Sequence, residues 1–335
     1  MMVEQQSAPS RLNERLGYAP HDRILIVNAD DFGMSLAANR GIHRLLNEGA
    51  IGSATLMTPC SWAPQAAQIA AAQPELNIGV HLVFTSEWNG YRWRPIASAS
   101  AGVPDSTASL VDALGYFPAD CATFEQQADP DEVRKQIEAQ IQHAMALGVD
   151  PSHVDNHMGS LYGLETGRDF LEIAIEACAH HRLPFRLPRV ADLYGIALPE
   201  AIRPLADQLV AARAAYADQL GVVIPDYTWT LPFSLEEGET RESVRQDMLT
   251  MLTSINSGVT EVYIHPFEMS DELRAMSPNC EKRAIELELF SDPSFHAELA
   301  AAGIHTATWR DLRDVMRRDV GVPSGGRQSD TAAGA

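Results

Sequence analysis

Short apolar runs alternate with helical segments along most of this chain, and this alternation constrains its fold more than any other sequence feature. Because each helix returns the chain to the same edge of a sheet, the pattern favours a parallel α/β fold. The predicted strands are Ile24–Asn28, Ser53–Thr58, Ile78–Val83, His153–Asp155, Phe185–Leu187, Val222–Ile224, Val262–His265 and His305–Thr308.

Capping and turn residues mark the helices between these strands. Ser35 is a good N-cap for a helix whose apolar residues recur at helical spacing as far as Leu45. Another helix starts with an acidic turn after Pro130 and ends at Gly148. The predicted helices are Ser35–Leu46, Asp131–Leu147, Gly167–His181, Glu200–Leu220, Glu242–Ile255, Arg283–Ala301 and Trp309–Arg318.

Eight strand candidates predict a single (β/α) barrel, regular or irregular, as the α/β architecture. A doubly wound open sheet is the alternative. The turn after the first strand argues against a nucleotide-binding version of that sheet. It reads ADDFGMS, with one glycine where a dinucleotide fold needs three, and its adjacent carboxylates would repel a pyrophosphate.

The chain divides into one large domain and two end segments. Residues 1–22 are polar and predict a flexible N-terminal arm, and residues 321–335 lack large apolar side chains and predict a disordered tail. Residues 23–320 hold the whole alternation and predict the barrel domain. Within it, residues 84–130 form an inserted loop, long enough to be either functional or disordered.

The start of the inserted loop is rich in aromatic residues, with Trp88, Tyr91 and Trp93 falling within six residues. Such crowding favours a folded excursion over the open end of the barrel. Two roles are open for these rings: they stack on a substrate, or they only fasten the loop to the domain.

The composition restricts the classes of partner. The formal net charge of −20 repels phosphate backbones and anionic lipid, which argues against nucleic acid and membrane surfaces. Four scattered cysteines without a C-x-x-C pair fit a reducing cytosol, and the polar N-terminus has no secretory signal. No run reaches the roughly 18 apolar residues of a membrane span. We therefore expect a cytoplasmic protein with a small neutral substrate.

Acidic and histidine side chains stand at the carboxyl ends of several predicted strands. Asp30 and Asp31 come directly after the first strand. His81 lies late in the third strand, and His265 ends the seventh. Active sites of (β/α) barrels lie at this end. Two adjacent carboxylates buried there need a cation or a proton to relieve their repulsion.

The fourth strand carries the pattern H-V-D-N-H, which places His153, Asp155 and His157 on one face of an extended chain. Together the strand ends predict one divalent-metal site, in which a carboxylate beside a ligand histidine fixes its ring. A cation there polarises a carbonyl and lowers the pKa of water to roughly 7 in favourable zinc cases. With a carboxylate as general base and a histidine as general acid, these parts suit metal-assisted amide hydrolysis.

Four motifs resemble those of the YdjC-type carbohydrate deacetylases, which include chito-oligosaccharide deacetylases. They are ILIVNADDFGMS, GVHL, HVDNHMGS and YIHPFE, in the family's order and spacing from about residue 23 to residue 313. The resemblance implies a barrel related to that of NodB-type polysaccharide deacetylases. It also implies a hydrolase that removes acetyl groups from N-acetylated sugars or small oligosaccharides, with metal-activated water as the nucleophile.

The resemblance also assigns roles to individual residues. It implies a metal site formed by Asp31, His81 and His157. Asp30 matches the general base, and His265 is assigned the role of general acid. The ligand types favour zinc, since magnesium prefers all-oxygen shells, whereas magnesium is the metal usually associated with the family.

Further residues are expected around this centre. Arg186 resembles an arginine that the family places near the substrate, and Trp88 and Trp93 are expected to line the substrate site. His153 and Asp155 are expected to support the metal ligands from behind.

The chain departs from the chito-oligosaccharide enzymes in two places near the expected substrate. His157 leads into MGSLYG instead of further histidines, and the segment TSEWNGYRW follows the GVH strand. The exact sugar is therefore open. The alternatives are another metal-dependent sugar amide or ester hydrolase, an isomerase, or a non-catalytic sugar-binding relative. A homodimer also remains an open alternative to a monomer.

Overall fold

The computed structural model of the protein describes residues 11–96, 107–192, 194 and 203–319. Its strands are β1 Arg23–Phe32, β2 Ser53–Leu56, β3 Ile78–Leu82, β4 Val154–Asn156, β5 Tyr227–Trp229, β6 Gly258–Ile264 and β7 His305–Thr306. Its helices are α1 Arg11–Leu16, α2 Leu36–Asn47, α3 Ala63–Ala72, α4 Cys121–Gln127, α5 Pro130–Ala146, α6 Leu171–His181, α7 Arg203–Gln219, α8 Arg241–Thr253, α9 Asp271–Met276, α10 Cys280–Phe290, α11 Pro293–Ala301 and α12 Trp309–Asp319. Single turns of 3-10 helix occur at Ala108–Leu110 and His157–Gly159.

The strands form one parallel sheet with the long strand β1 near its centre, in the order β4-β3-β2-β1-β6-β5. β1 pairs with β6 from Arg23 to Ala29 along one edge. Along its other edge it pairs with β7 at Ile24 and Leu25, and with β2 from Asn28 onward. Helices separate most successive strands, and the predicted α/β class is confirmed.

Irregular backbone joins the two ends of the sheet. Phe185 forms an isolated parallel bridge with Val154 of β4, and its N–H donates to the carbonyl of Val223. Shortly afterwards, the N–H of Asp226 donates to the carbonyl of Val259 in β6. Hydrogen bonds thus continue around the sheet, which curls into the irregular barrel that the alternation predicts.

Two predicted strands, Phe185–Leu187 and Val222–Ile224, are wrong as regular strands. The first has only the bridge at Phe185, the second has no strand, and the regular strand in this region is β5, which the sequence pattern does not predict. Pro184 and Pro188 flank the first segment. Because proline has no N–H and a fixed φ, a ladder cannot extend in either direction.

Local capping decides where several helices begin. The Ser35 side chain accepts a hydrogen bond from the N–H of Ala38, and α2 starts as predicted. The single helix predicted over Arg283–Ala301 is wrong, because the structure has two helices there, α10 and α11. Asp292 caps α11, which starts with Pro293 at its first position. Within the described ranges, every helix is too short or too polar to span a bilayer.

The N-terminal segment is folded from α1 onward, which differs from the flexible arm expected over residues 1–22. Leu12 is buried in the core, and the Asn13 side chain donates to the carbonyl of Asp22. The buried amide of Asn13 needs a hydrogen-bond partner, and it finds one in the residue that precedes β1. The segment is therefore held against the start of that strand. The first part of the expected arm, residues 1–10, and the expected tail, residues 321–335, lie outside the described residues.

The inserted loop packs on the barrel through aromatic side chains. The Phe84 ring lies 6.0 Å from that of Phe117 and 5.0 Å from that of Phe124, and all three are fully buried. Trp88 and Trp93 are only 5% and 3% exposed. In its described parts, the loop is therefore folded onto the domain, as the crowding of aromatic residues predicts.

Candidate active site and metal centre

β1 ends in a bulge that brings two adjacent carboxylates to the same region. The register of β1 against β2 slips between Ala29 and Phe32, and Asp31 has a left-handed backbone with a φ of 68°. Side chains of a regular strand alternate between faces, whereas a bulge redirects one of them. Asp30 and Asp31 consequently each place an oxygen within 4.8 Å of a nitrogen of His81.

Asp31, His81 and His157 converge on one point. The Oδ1 atom of Asp31 lies 3.5 Å from Nε2 of His81 and 3.3 Å from Nδ1 of His157. This oxygen is fully buried and accepts no well-formed hydrogen bond from any residue that the structure describes. A buried carboxylate oxygen without a donor, facing two imidazole nitrogens, fits a divalent cation. The three residues therefore form a candidate metal site.

A carboxylate fixes each candidate histidine through its other nitrogen. Nδ1 of His81 lies 2.7 Å from Oδ1 of Asp155. Nε2 of His157 lies 3.0 Å from Oε2 of Glu87 in the inserted loop. These contacts leave the opposite nitrogen of each ring directed towards Asp31, which is how outer carboxylates orient metal-binding histidines.

The surroundings of His157 favour positive charge at this point. Burial by itself lowers the pKa of His157, but the carboxylates of Glu87 and Asp31 outweigh burial and raise it to about 10. Burial also disfavours the charged form of Asp31 and by itself raises its pKa. The charges of His157 and Arg283 outweigh burial and bring this pKa well below its ordinary value. These shifts show that the carboxylates favour a positive charge at this point, which the proton on His157 supplies in the structure as described.

Arg283, from α10, forms a hydrogen bond with the second carboxylate oxygen of Asp31. Its Nη1 donates to Oδ2 of Asp31 over 2.8 Å. The guanidinium carbon lies 4.4 Å from the ring centroid of Phe267 and 5.7 Å from that of Trp88. The carboxylate is therefore held with Oδ2 on the arginine and Oδ1 towards the histidines.

Arg186 lies at the centre of three buried carboxylates. Its Nη1 and Nη2 each donate to one oxygen of Asp30 over 2.7 Å. Its Nε donates to Glu261 over 2.8 Å, and Nη2 lies 2.9 Å from Asp155. The two-pronged contact fixes the orientation of Asp30. The family resemblance places this arginine near the substrate, and its described partners are carboxylates of the protein itself.

The Arg186 cluster separates the charge states of its carboxylates. Burial raises the pKa of Asp30, but Arg186 outweighs burial and holds it well below its ordinary value. Burial raises the pKa of Glu261 to about 7, although Arg186 opposes this effect. Asp30 is therefore ionised at neutral pH, and Glu261 lies near its midpoint.

His265 lies one residue beyond β6 and faces the same site. Its backbone N–H donates to Oε2 of Glu286 over 2.7 Å. Its ring lies 5.1 Å from that of Phe233 and 6.0 Å from that of Tyr263. Burial lowers its pKa to about 4, although the charge of Asp31 opposes this. His265 is therefore neutral near pH 7.

Trp88 and Trp93 form a wall behind the candidate metal site. The Trp93 ring lies 6.0 Å from that of His157, and its indole N–H donates to the carbonyl of Thr85 over 2.7 Å. Both indoles are almost completely buried, so their contacts fit the fastening role better than stacking on a substrate.

His153 is placed differently from Asp155, its neighbour in the H-V-D-N-H pattern. Its ring stacks on that of Trp309, with centroids 4.3 Å apart, and its Nδ1 lies 2.9 Å from Oγ of Ser152. Burial holds its pKa well below the ordinary value. Among the described residues, no hydrogen bond or ion pair joins His153 to a candidate metal ligand, whereas Asp155 lies 2.7 Å from His81.

Sequence patterns miss several residues of this site. Glu87 and Arg283 come from a loop and a helix, where neither strand-end position nor spacing singles them out. Glu261 carries a signal, because it is a charged residue within the otherwise largely apolar strand β6.

A second group of metal-binding side chains lies near the surface, between α5 and α6. It consists of Glu138, His180 and His181. Oε2 of Glu138 already lies 2.9 Å from Nε2 of His181, and the His180 side is exposed. Such exposed clusters are common without an ion, so the buried group is the better candidate.

The fold and site together define an α/β-barrel protein with a buried two-histidine, one-aspartate centre at the carboxyl ends of its strands. More particularly, the chain belongs to the YdjC-like protein family, whose model matches residues 24–301. That range contains all three candidate ligands, and the family resemblance of the motifs is confirmed.

Three curated relatives match over nearly their whole length. Carbohydrate deacetylases from Geobacillus stearothermophilus and Thermus thermophilus are each 28% identical to this chain. The matches cover 87% and 91% of this chain and 98% and 99% of those proteins. A chitooligosaccharide deacetylase from Proteus mirabilis is 26% identical over 86% of this chain and 98% of its own length.

A solved structure shows the same fold. A protein of Enterococcus faecalis V583, described as a cellobiose-phosphate cleavage protein, matches with a TM-score of 0.67 and 25% identity, over 87% of this chain and 99% of its own. Structural neighbours also include a family 4 carbohydrate esterase from Streptomyces lividans, with a TM-score of 0.33 and 10% identity.

Proposed function

We propose that this protein is a metal-dependent carbohydrate deacetylase, which removes acetyl groups from N-acetylated sugars or small oligosaccharides. The observation that carries the proposal is the convergence of Asp31 Oδ1, which accepts no well-formed hydrogen bond from the described residues, with Nε2 of His81 and Nδ1 of His157. The ionised Asp30 beside them adds a second carboxylate that need not bind metal. Full-length relatives named carbohydrate deacetylases support the reaction class.

Asp31, His81 and His157 would hold one divalent cation. Two imidazole nitrogens and one carboxylate favour zinc, although magnesium is the metal usually associated with the family. Such a cation polarises the acetyl carbonyl and acidifies water. The acidic groups around the site support this assignment, because the contacts of the described residues include five carboxylates against two arginines, and a metal ion would take the place of the proton on His157. The carboxylates are Asp30, Asp31, Glu87, Asp155 and Glu261, and the arginines are Arg186 and Arg283.

Asp30 is the proposed general base. Arg186 fixes both of its oxygens, so the carboxylate cannot rotate away from the centre. A carboxylate with a lowered pKa accepts a proton from water only as water attacks the carbonyl carbon. The proposal thus gives Arg186 a positioning role towards Asp30 instead of direct contact with substrate.

His265 is the proposed proton donor to the departing amine. Because burial keeps its imidazole neutral, His265 must gain a proton during the reaction before it passes one to the sugar nitrogen. The proton balance closes in two transfers: water gives a proton to Asp30, which releases it and is ionised again, and His265 takes up one proton and gives it to the departing amine, so that it ends neutral.

The proposed partner is a small neutral N-acetylated sugar, and the proposed location is the cytoplasm. The net charge of −20 supports an uncharged substrate over nucleic acid or an anionic membrane surface. The scarcity of lysine, with only Lys135 and Lys282, counts against a proton-shuttling isomerase that uses a lysine base.

Acetate release from a panel of N-acetylated oligosaccharides tests the proposal. The chain is measured after chelation and after reloading with zinc or magnesium, and we expect release only in the reloaded samples. Asp30→Asn should bind the same sugar with little change, yet lose at least about a hundredfold in kcat, the lower range for a positioned base. Sugar binding without acetate release in every metal-loaded sample would contradict the proposal and favour a non-catalytic relative.

A further inference from the structure

Phe233 is the most exposed aromatic side chain in the described part of the protein. Half of its surface is exposed, whereas Trp88 and Trp93 are only 5% and 3% exposed. The indoles that the sequence predicts as substrate contacts thus turn inwards, and a different aromatic ring faces solvent. Single exposed apolar residues are common, so the position of this ring decides its meaning.

Phe233 stands beside the proposed proton donor. Its ring centroid lies 5.1 Å from that of His265, at an interplanar angle of 80°. On its other side, it lies 6.4 Å from the ring of Tyr263. Tyr263 in turn lies 4.6 Å from the guanidinium carbon of Arg186, which holds Asp30. The exposed ring therefore belongs to the rim of the site, on its His265 side.

The loop that carries Phe233 is fastened at both ends. The Thr230 hydroxyl donates to the carbonyl of Tyr263 over 2.9 Å. At the other end, Nζ of Lys282 lies 2.6 Å from Oε1 of Glu239, and Lys282 is 1% exposed. These two contacts anchor the loop to β6 and α10 on either side of Phe233.

We propose that Phe233 is the platform on which the apolar face of the substrate sugar ring packs. The inference rests on the proposed function, in which His265 faces the sugar nitrogen. The pyranose that carries this nitrogen must then lie within about one ring width of His265, which is where the Phe233 ring is exposed. The C–H face of a pyranose is apolar and flat enough to pack on an aromatic face.

Three variants test the platform. Phe233→Ala removes the ring, Phe233→Trp restores an aromatic face, and Leu209→Ala is a matched control on α7 with almost the same exposure, 49% against 50%. Their KM and kcat are measured with N-acetylglucosamine and its β-1,4-linked di- and trisaccharides. Binding of the same sugars is measured by calorimetry in an Asp30→Asn background, which separates affinity from turnover.

Loss of the platform should raise both KM and Kd by roughly tenfold, the scale of one aromatic packing contact, while kcat changes less than about threefold. Phe233→Trp should recover most of the affinity, and Leu209→Ala should match the parent. Equal melting temperatures of the two alanine variants would show that Phe233→Ala is folded.

The outcomes separate this inference from the proposed function. If the parent protein releases acetate and Phe233→Ala has the same KM and Kd as the parent, the platform role of Phe233 is wrong, whereas the proposed deacetylase activity stays supported. Sugar binding that Phe233→Ala weakens, in a protein that never releases acetate, would support the platform and overturn the deacetylase. If the protein with Phe233 intact binds none of these sugars, both the platform role of Phe233 and the proposed deacetylase activity are contradicted.

Discussion

Glu87 orients one histidine of the candidate metal centre from the inserted loop, so it provides a test of how far the loop supports the site. Because an outer carboxylate typically contributes 10- to 100-fold to metal affinity, Glu87→Ala should weaken zinc binding by about tenfold or more. The measurement is zinc affinity of the chelated protein, by competition with a chromophoric chelator.

Glu138→Ala is the matched control for this variant. Glu138 contacts His181 over 2.9 Å, as Glu87 contacts His157 over 3.0 Å, but it lies near the surface between α5 and α6. Zinc affinity in the buried site should be unchanged in the control. Equal affinities in both variants would show that Glu87 does not support His157.

Arg186 is the residue on which the buried charges depend most. Arg186→Met leaves Asp30, Asp155 and Glu261 without their shared cation, and we expect a loss of about 3–5 kcal/mol in the free energy of unfolding. Arg186→Lys should recover part of this stability. It should not recover turnover, because lysine cannot hold both oxygens of Asp30. Urea unfolding and acetate release measure the two effects.

Arg189→Met is the surface control for that experiment. Arg189 also makes a two-pronged contact, with Asp218, but that carboxylate is 55% exposed. Exposed pairs of this kind contribute up to about 1 kcal/mol, so the control should change stability little. If Arg186→Met unfolded at the same urea concentration as the control, the buried cluster would not stabilise the fold.

The predictability of individual site residues followed their position in the fold. Strand-end residues such as Asp31 and His81 could be grouped from the sequence, because the carboxyl ends of parallel strands meet at one edge of a barrel. Glu87 and Arg283 reach the site from a loop and from α10. Their placement depends on tertiary packing, which neither periodicity nor spacing encodes.

At the scale of elements, the ion pair between Glu239 and Lys282 can be tested for its effect on the loop that precedes α8. Glu239→Ala removes the partner of the buried Lys282, and amide exchange in residues 230–240 should become roughly tenfold faster, equivalent to about 1.4 kcal/mol of local opening. Hydrogen exchange followed by mass spectrometry measures this. Glu237→Ala, an exposed neighbour in the same loop, should leave exchange unchanged. Equal exchange in both variants would show that the ion pair does not fasten the loop.

Elements with strong local signals were predicted well, and those set by distant contacts were not. α2 has both a serine cap and regular apolar spacing, so its start could be read directly. The part of the barrel between β4 and β6 lacks such local signals, because prolines interrupt it and single hydrogen bonds stand in place of a continuous strand ladder. An apolar run such as Val222–Ile224 is then buried without being a strand.

For the whole molecule, metal binding should be visible as stability. An ion that binds only the folded chain stabilises it by about 4 kcal/mol at a thousandfold excess over Kd, which raises the melting temperature by several degrees. Chelation should remove this gain. In Asp31→Asn, calorimetric scans with and without zinc should coincide, and a zinc-dependent shift in that variant would place the ion elsewhere.

β1 also determines when this molecule can be completed during its synthesis. The first half of β1 pairs with β6 along one edge and with β7 along the other, and both of these strands lie more than two hundred residues further along the chain. A nascent polypeptide that has not reached residue 258 lacks both β6 and β7, so the first half of its β1 has no partner strand along either edge. Unpaired backbone of this kind can join other chains, so truncated products should aggregate, and full-length folding should be slow.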